Sequence, residues 1–158
     1  MNILFLGVAG GLFALLALVH FVVDWIFQTH SEAMVKHNNP KVRAKHCLIY
    51  TIGFIPLLYF FEYTWLQWLI GLNILFWSHF VEDTYMPVYL WAKYIRKPPE
   101  MTENVLVTID GIIQSVPPDP KMGFVLFVQT PLGKILMIAV DQIIHLSFLL
   151  PLVYMAMT

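Results

Sequence analysis

Charged residues are scarce in this chain, and cysteine is almost absent. Only 12% of the 158 residues are Asp, Glu, Lys or Arg, whereas a soluble domain carries about 25%. Apolar residues make up 59% of the chain, so the composition predicts an integral membrane protein with membrane lipids as its partners. The net charge of −1 gives no reason to expect a nucleic-acid partner.

A single cysteine, Cys47, excludes an intramolecular disulfide and any zinc site built from several cysteines. The sequence also has no P-loop, nucleophile elbow, His-Glu-x-x-His motif or dinucleotide-binding fingerprint. The common signatures of nucleotide binding and of serine or zinc hydrolysis are therefore absent.

Residues 1–23 contain no Lys, Arg, Asp or Glu. A signal peptide would begin with a basic region and end at a small-residue cleavage site, and neither is present. We therefore expect a membrane helix that is retained in the protein. Gly7 and Gly11 are spaced for close helix packing and could form a face for a homo-oligomer, although two unremarkable glycines explain the pair equally well.

Hydrophobic runs and turn signals predict an all-α fold, a polytopic four-transmembrane-helix bundle that forms a single membrane domain over residues 1–158. The stretch from Cys47 to Val81 is too long for one span of about 20 residues, so it is divided near residues 61–64. An irregular cytoplasmic or interfacial segment is expected at 95–131, where 103–115 fits either a short helix or a strand. The predicted helices are about 2–28, 44–60, 65–94 and 132–155.

The positions of the basic residues predict the orientation of these helices. All nine Lys and Arg residues lie between residues 30 and 45 or between residues 93 and 134. Basic loops face the cytoplasm, so both termini are expected outside the cell membrane. The chain is therefore expected to cross the membrane several times.

Polar pairs interrupt the most apolar parts of the sequence. Residues four positions apart lie on one face of a helix, and ionisable side chains persist in hydrocarbon mainly when they are paired, metal-bound or facing water. With the orientation above, the pairs lie toward the cytoplasmic ends of their helices, so we expect them to converge on one polar site. The pairs are His20 with Asp24, His46 with Tyr50, His79 with Asp83, and Asp141 with His145.

Imidazole and carboxylate side chains together favour a divalent transition metal, with zinc as the first choice and either one or two ions. A histidine that binds a metal usually donates a hydrogen bond from its second ring nitrogen. The residues expected to support the ligands by such hydrogen bonds are Gln28, Tyr50 and Gln142. The expected metal ligands are His20, Asp24, His79, Asp83, Asp141 and His145.

Several stretches resemble a family of small bacterial and phage membrane proteins that is known only as a domain of unknown function. The stretches are HFVVDWIFQ at 20–28, MVK at 34–36, HCLIY at 46–50, HFVED at 79–83 and DQIIH at 141–145. This resemblance implies a bacterial or phage inner-membrane protein and brings no assigned activity. The residue types are also similar to those of membrane-bound metal-dependent hydrolases, which place His and Asp on several spans.

Three functions fit these patterns. The first is a membrane-embedded metal-dependent hydrolase that acts at the cytoplasmic leaflet on a lipid, lipid-linked or membrane-peptide substrate. The second is a transporter or channel for protons or divalent cations, and the third is a scaffold or regulatory protein with a buried His/Asp cluster. In the hydrolase, Glu32 or Glu82 is the expected general base and His46 a further ligand or proton shuttle.

The same hydrolase hypothesis assigns a role to three basic residues at the expected cytoplasmic interface. Lys36, Arg43 and Lys45 lie close together in the sequence and are expected to contact an anionic headgroup.

Overall fold

The computed structural model describes residues 3–96, 105–109, 112–116 and 127–158. The chain divides into two compact units. The first contains Met1–Pro87 and Asp141–Thr158, and the second contains Val88–Val140. Each unit is described by itself, and the single membrane domain expected over residues 1–158 stays a prediction.

The first unit is made of α-helices joined by short turns. A π-helical segment, Val22–Ile26, follows the first helix directly. Only the part of α7 from Asp141 onward belongs to this unit. The helices are α1 (Ile3–Phe21), α2 (His30–Val35), α3 (Pro40–Gly53), α4 (Ile55–Phe60), α5 (Trp65–Glu82), α7 (Pro131–Ser147) and α8 (Leu150–Ala156).

Side-chain caps explain where three of these helices begin. Thr29 and Thr64 each accept a hydrogen bond from the backbone three residues later, and a Glu or Gln at that position bonds back to the cap, before α2 and α5 respectively. Asn39 caps α3, whose first residue is Pro40. A cap satisfies backbone N–H groups that have no partner inside the helix, so these residues set the helix starts.

Three of the predicted helices are interrupted in the structure. The predicted helix 44–60 is two helices that meet at Phe54, because Pro56 in the first turn of α4 has no N–H to continue the ladder. The predicted helix 132–155 breaks before α8 for the same reason, at Pro151. The predicted helix 65–94 ends at Glu82, and Tyr85 then adopts a positive φ of 59°.

A hydrophobic core joins the helices of the first unit. It draws on α1, the π-helical segment, α3, α4, α5 and α8, together with the turns that follow α3, α4 and α7. Tyr63 in the turn after α4 donates a hydrogen bond to the carbonyl of Leu152 at 2.6 Å, which ties this turn to α8. The buried members are Leu12, Leu16, Val23, Tyr50, Phe54, Leu58, Tyr63, Leu75, Leu149, Leu152 and Val153.

Two helical stretches, Ile3–Ile26 and Pro131–Ala156, are long and apolar enough to cross a membrane. In the most apolar 18-residue segment of each stretch, the share that is buried inside the protein is only 22% and 17%, respectively. The core helix of a soluble protein would instead bury most of its apolar surface. Large apolar side chains such as Ile3 and Ile135 are exposed on these stretches, as they are on helices that could cross a membrane.

The second unit contains α6 (Met86–Trp91, from Val88 onward), a π-helical turn (Ala92–Arg96) and a β-hairpin. Strands β1 (Val105–Ile109) and β2 (Ile112–Val116) pair antiparallel, with Ile109 opposite Ile112. Of the two alternatives for residues 103–115, the strand is therefore the one observed. The rest of the predicted irregular segment at 97–104, 110–111 and 117–126 lies outside the described residues.

Gly53 is required by the close approach of α3 to the π-helical segment. A Cβ atom at Gly53 would lie 2.5 Å from Val23 Cγ2 and 3.2 Å from Val23 Cβ. We expect Gly53→Ala to destabilise the protein by about 1–3 kcal/mol through overpacking, measured as a lower thermal midpoint in detergent. Gly10→Ala is the control, because nothing lies within 4 Å of its Cβ position.

The double variant Gly53→Ala/Val23→Ala should recover part of the loss, since it removes the clashing methyl groups. An equal effect of Gly53→Ala and Gly10→Ala would contradict this packing.

Candidate metal centre

Asp24 lies where the first helical stretch changes its winding. It is the central residue of the π-helical segment that follows α1. A π-type turn is wider than an α-helical turn and is frequent at functional sites. Asp24 is only 5% exposed, so its carboxylate is held inside the protein.

Two imidazoles approach this carboxylate from α3 and α5. His46 Nε2 is 3.0 Å from Asp24 Oδ1 and 2.9 Å from His79 Nε2. His79 Nε2 is 3.4 Å from the same carboxylate oxygen. We call these three buried residues the Asp–His set, and they form a group that could hold a metal ion.

The spacing within the Asp–His set fits a tetrahedral metal. With metal–ligand bonds of about 2.0–2.1 Å, tetrahedral ligand atoms lie about 3.3 Å apart. The three observed separations of 2.9, 3.0 and 3.4 Å bracket that value. Asp83 Oδ2 lies 3.7 Å from His46 Nε2 and 3.6 Å from His79 Nε2, which makes it a candidate for a fourth ligand.

Hydrogen bonds alone do not account for the contacts of His46 Nε2. Besides its contacts with Asp24 and His79, this nitrogen lies 3.4 Å from Lys36 Nζ. A neutral ring nitrogen is either a donor or an acceptor, so it cannot donate to the carboxylate and accept from the ammonium at once. A cation shared by the ligand atoms would satisfy the imidazoles and the carboxylate together.

Lys36, which ends α2, is already a cation beside this set. Its Nζ is 2.8 Å from Asp83 Oδ1 and 3.7 Å from Asp24 Oδ1, and its side chain is 13% exposed. Burial lowers the pKa of the Lys36 ammonium, but the carboxylates of Asp83 and Asp24 more than offset this effect, so its pKa is raised above the ordinary value. The ammonium is therefore charged at neutral pH.

A second buried group shares one residue with the first. His79, Glu82 and His145 also offer ligand atoms close enough to hold a metal ion, and we call them the Glu–His set. His145 Nε2 lies 3.1 Å from Glu82 Oε2 without the alignment of a hydrogen bond. Among the described residues, Glu82 Oε1, His145 Nε2 and His79 Nδ1 are buried with no hydrogen-bond partner.

The hydrogen bond of His145 Nδ1 indicates that its Nε2 presents a lone pair to the Glu–His set. His145 Nδ1 lies 2.8 Å from the backbone carbonyl of Asp141, which can only accept, so Nδ1 is the donor. Nε2 then presents a lone pair toward a carboxylate. This is the usual arrangement of a metal-ligating histidine, and two acceptors at this distance require a proton or a cation between them.

Asp141 is more peripheral than its expected role as a ligand suggests. Its carboxylate Oδ2 is 3.7 Å from His145 Nδ1 and receives a hydrogen bond from Gln142 at 3.2 Å. Its side chain is 25% exposed. Asp141 lies outside both sets and contributes mainly through its backbone carbonyl.

His20 is fully buried, but both of its ring nitrogens are already engaged. Nε2 lies 3.1 Å from the side-chain oxygen of Gln142, and Nδ1 lies 2.9 Å from the hydroxyl of Tyr50. The Tyr50 ring stacks on His79, with centroids 3.9 Å apart. The structure thus places His20 behind the ligand sets, where it holds Tyr50 against His79. Tyr50 and Gln142, the expected supporting residues, thus contact His20.

Other expected site residues make local contacts. Glu32 caps α2 through Thr29 and pairs with Lys45 at 2.6 Å. The hydrogen bond from Lys45, followed by those from Thr29, lowers the pKa of the Glu32 carboxyl to about 2. Arg43 donates to the carbonyls of Lys36 and His37, which fixes the turn that carries Lys36.

One expected supporting residue, Gln28, has a buried side-chain oxygen with no hydrogen-bond partner among the described residues.

Sequence reasoning found most of these residues but missed how some are used. The four-residue spacing pointed to His79 and Asp83, whereas no spacing signalled that Glu82 would join His145 or that Lys36 would be buried.

We expect the purified chain to bind zinc through these sets. His79→Gln should abolish binding, because His79 belongs to both sets. His20→Gln should weaken zinc affinity about 10–100-fold, as the loss of a supporting hydrogen bond does. His30→Gln, at an exposed position, is the control, and zinc content and affinity are measured by elemental analysis and competitive chelation.

Equal losses in His20→Gln and His79→Gln, or a metal-free wild type, would contradict this assignment.

Comparison with known proteins places the chain in a family. No curated protein and no solved structure matches it significantly. A family model described as "protein of unknown function (DUF3307)" matches residues 12–158, which is nearly the whole chain and includes every residue of both ligand sets. The chain therefore belongs to the DUF3307 family.

Proposed function

We propose that this protein is a membrane-embedded metal-dependent hydrolase that acts at the cytoplasmic leaflet on a lipid, lipid-linked or membrane-peptide substrate. The observation that carries the proposal is the mutual spacing of Asp24 Oδ1, His46 Nε2 and His79 Nε2, at 2.9–3.4 Å. With these three residues as ligands and Asp83 paired with Lys36, a tetrahedral ion would keep one coordination position for water or substrate, as catalytic zinc sites do.

The proposal includes four membrane spans. Besides the two stretches that are long and apolar enough, α3 with α4 would form one span and α5 another. Basic residues lie only at 30–45 and 93–134, so the positive-inside rule places both regions in the cytoplasm and both termini outside. The bacterial inner membrane is the proposed location. The ligand sets then lie in the cytoplasmic half of the bilayer.

The residues around the site suit hydrolysis. A bound zinc ion lowers the pKa of a coordinated water and polarises a carbonyl or phosphoryl oxygen. Glu82, buried beside His145, would accept the proton of that water. The Lys36 ammonium, 3.4 Å from His46 Nε2, would stabilise negative charge that develops on the substrate.

A second candidate function rests on the contact between Lys36 and Asp83. At 2.8 Å, with Asp24 3.7 Å away on the same ammonium, Lys36 compensates two buried carboxylates without a metal. Such a cluster would suit a scaffold or regulatory protein whose polar residues fix helix packing. This candidate leaves the buried Glu82 Oε1 without a hydrogen-bond partner in the part of the chain that the structure describes, which is why the hydrolase is preferred.

The test of the hydrolase uses the zinc-loaded full chain in vesicles of phosphatidylethanolamine and phosphatidylglycerol that contain labelled lipids. We expect release of labelled fatty acid or headgroup, which His79→Gln abolishes and His30→Gln leaves unchanged. Lys36→Met should lower kcat about 10²–10³-fold while zinc stays bound, as the loss of one charge-stabilising group does. Product release is followed by mass spectrometry.

Turnover that is equal in wild type and His79→Gln would contradict a metal-dependent reaction. Zinc or proton flux across the vesicle membrane without product release would instead favour transport.

A further inference from the structure

An apolar groove runs along α5 beside the Glu–His set. Its volume is about 440 Å³, within the range of roughly 300–1,000 Å³ that is usual for ligand sites. Its α5 wall is a helical stripe of Ile74, Trp77, Ser78 and Val81, while α7 contributes Ile144 and the turn after α7 contributes Phe148. All of these residues belong to the first unit.

The last α5 residue that lines the groove is an ionisable one. Glu82 is 3% exposed, and its Oε1 has no hydrogen-bond partner among the described residues. Its Oε2 is 3.1 Å from His145 Nε2. A ligand of this groove therefore meets apolar side chains along most of its length and the Glu–His set at one end.

The direction of the groove matches the direction of a lipid. The α5 wall from Ile74 to Glu82 spans eight residue steps, or about 12 Å at 1.5 Å per residue. In the proposed topology Glu82 is at the cytoplasmic end of α5, so the groove extends from there toward the middle of the bilayer. A phospholipid in the cytoplasmic leaflet places its head and its chains in the same order.

We propose that this groove binds one hydrocarbon chain of a membrane lipid and places the linkage between the chain and the headgroup against Glu82 and His145. The inference rests on the proposed hydrolase function and makes a lipid its substrate class. A peptide strand would bring backbone N–H and C=O groups that need partners in an apolar setting. Among the groove residues, only Ser78 and Glu82 have polar side chains.

The test uses the full chain in nanodiscs that contain a phospholipid with a photoreactive diazirine in its acyl chain. After irradiation, peptide mapping should find adducts concentrated on the groove residues of α5 and α7. Ser78→Trp fills the groove and should reduce these adducts about tenfold, the change expected when about two methylene groups lose their contacts. Leu69→Trp, at an exposed position on α5, is the matched control.

Ile144→Trp on the opposite wall provides a second blocking variant, and retained zinc content with an unchanged thermal midpoint shows that each variant is folded. Adducts that are equally abundant in the blocked and control variants, or spread evenly over all exposed helices, would overturn the proposal. A chain that gives groove adducts but binds no zinc would refute the hydrolase and leave the lipid site standing.

Discussion

The structure depends on the compensation of charge inside an apolar helix assembly. Asp24 and Asp83 are each less than 10% exposed, and an isolated carboxylate in such surroundings would be very costly. Two histidines and one lysine converge on them from α2, α3 and α5. The contacts that hold these helices together at their polar ends are therefore the same contacts that define the candidate metal centre, so stability and function share one set of residues.

Much of the site could be predicted from the sequence because helix geometry is regular. Four-residue spacing predicts that His79 and Asp83 share one helix face, and the expected alternation of helix direction predicts that they lie near Asp24 and His46. Partner choice inside the cluster could not be predicted, because it depends on side-chain directions that spacing does not encode. His20 faces Tyr50 and Gln142 instead of the carboxylates, although its spacing from Asp24 resembles that of His79 from Asp83.

The backbone departures from the predicted fold have local causes of two kinds. Pro56 and Pro151 divide the predicted second and fourth helices, and both breaks follow from the missing N–H of proline. The break after α5 has the same kind of marker, because Pro87 stands in the first turn of α6, whereas the π-helical winding around Asp24 has none. This winding sets the direction of the Asp24 carboxylate. The contact of Asp24 with the two histidines therefore could not be predicted from residue spacing alone.

X-ray absorption spectroscopy at the zinc edge, on the purified full chain, tests the central claim most directly. We expect a first coordination sphere of nitrogen and oxygen at about 2.0–2.1 Å, with the outer scattering that imidazole rings produce and no sulfur at about 2.3 Å. Cys47, the single cysteine, is fully buried and has no part in either ligand set. A spectrum with sulfur, one without imidazole scattering, or a protein that holds no metal would contradict the account.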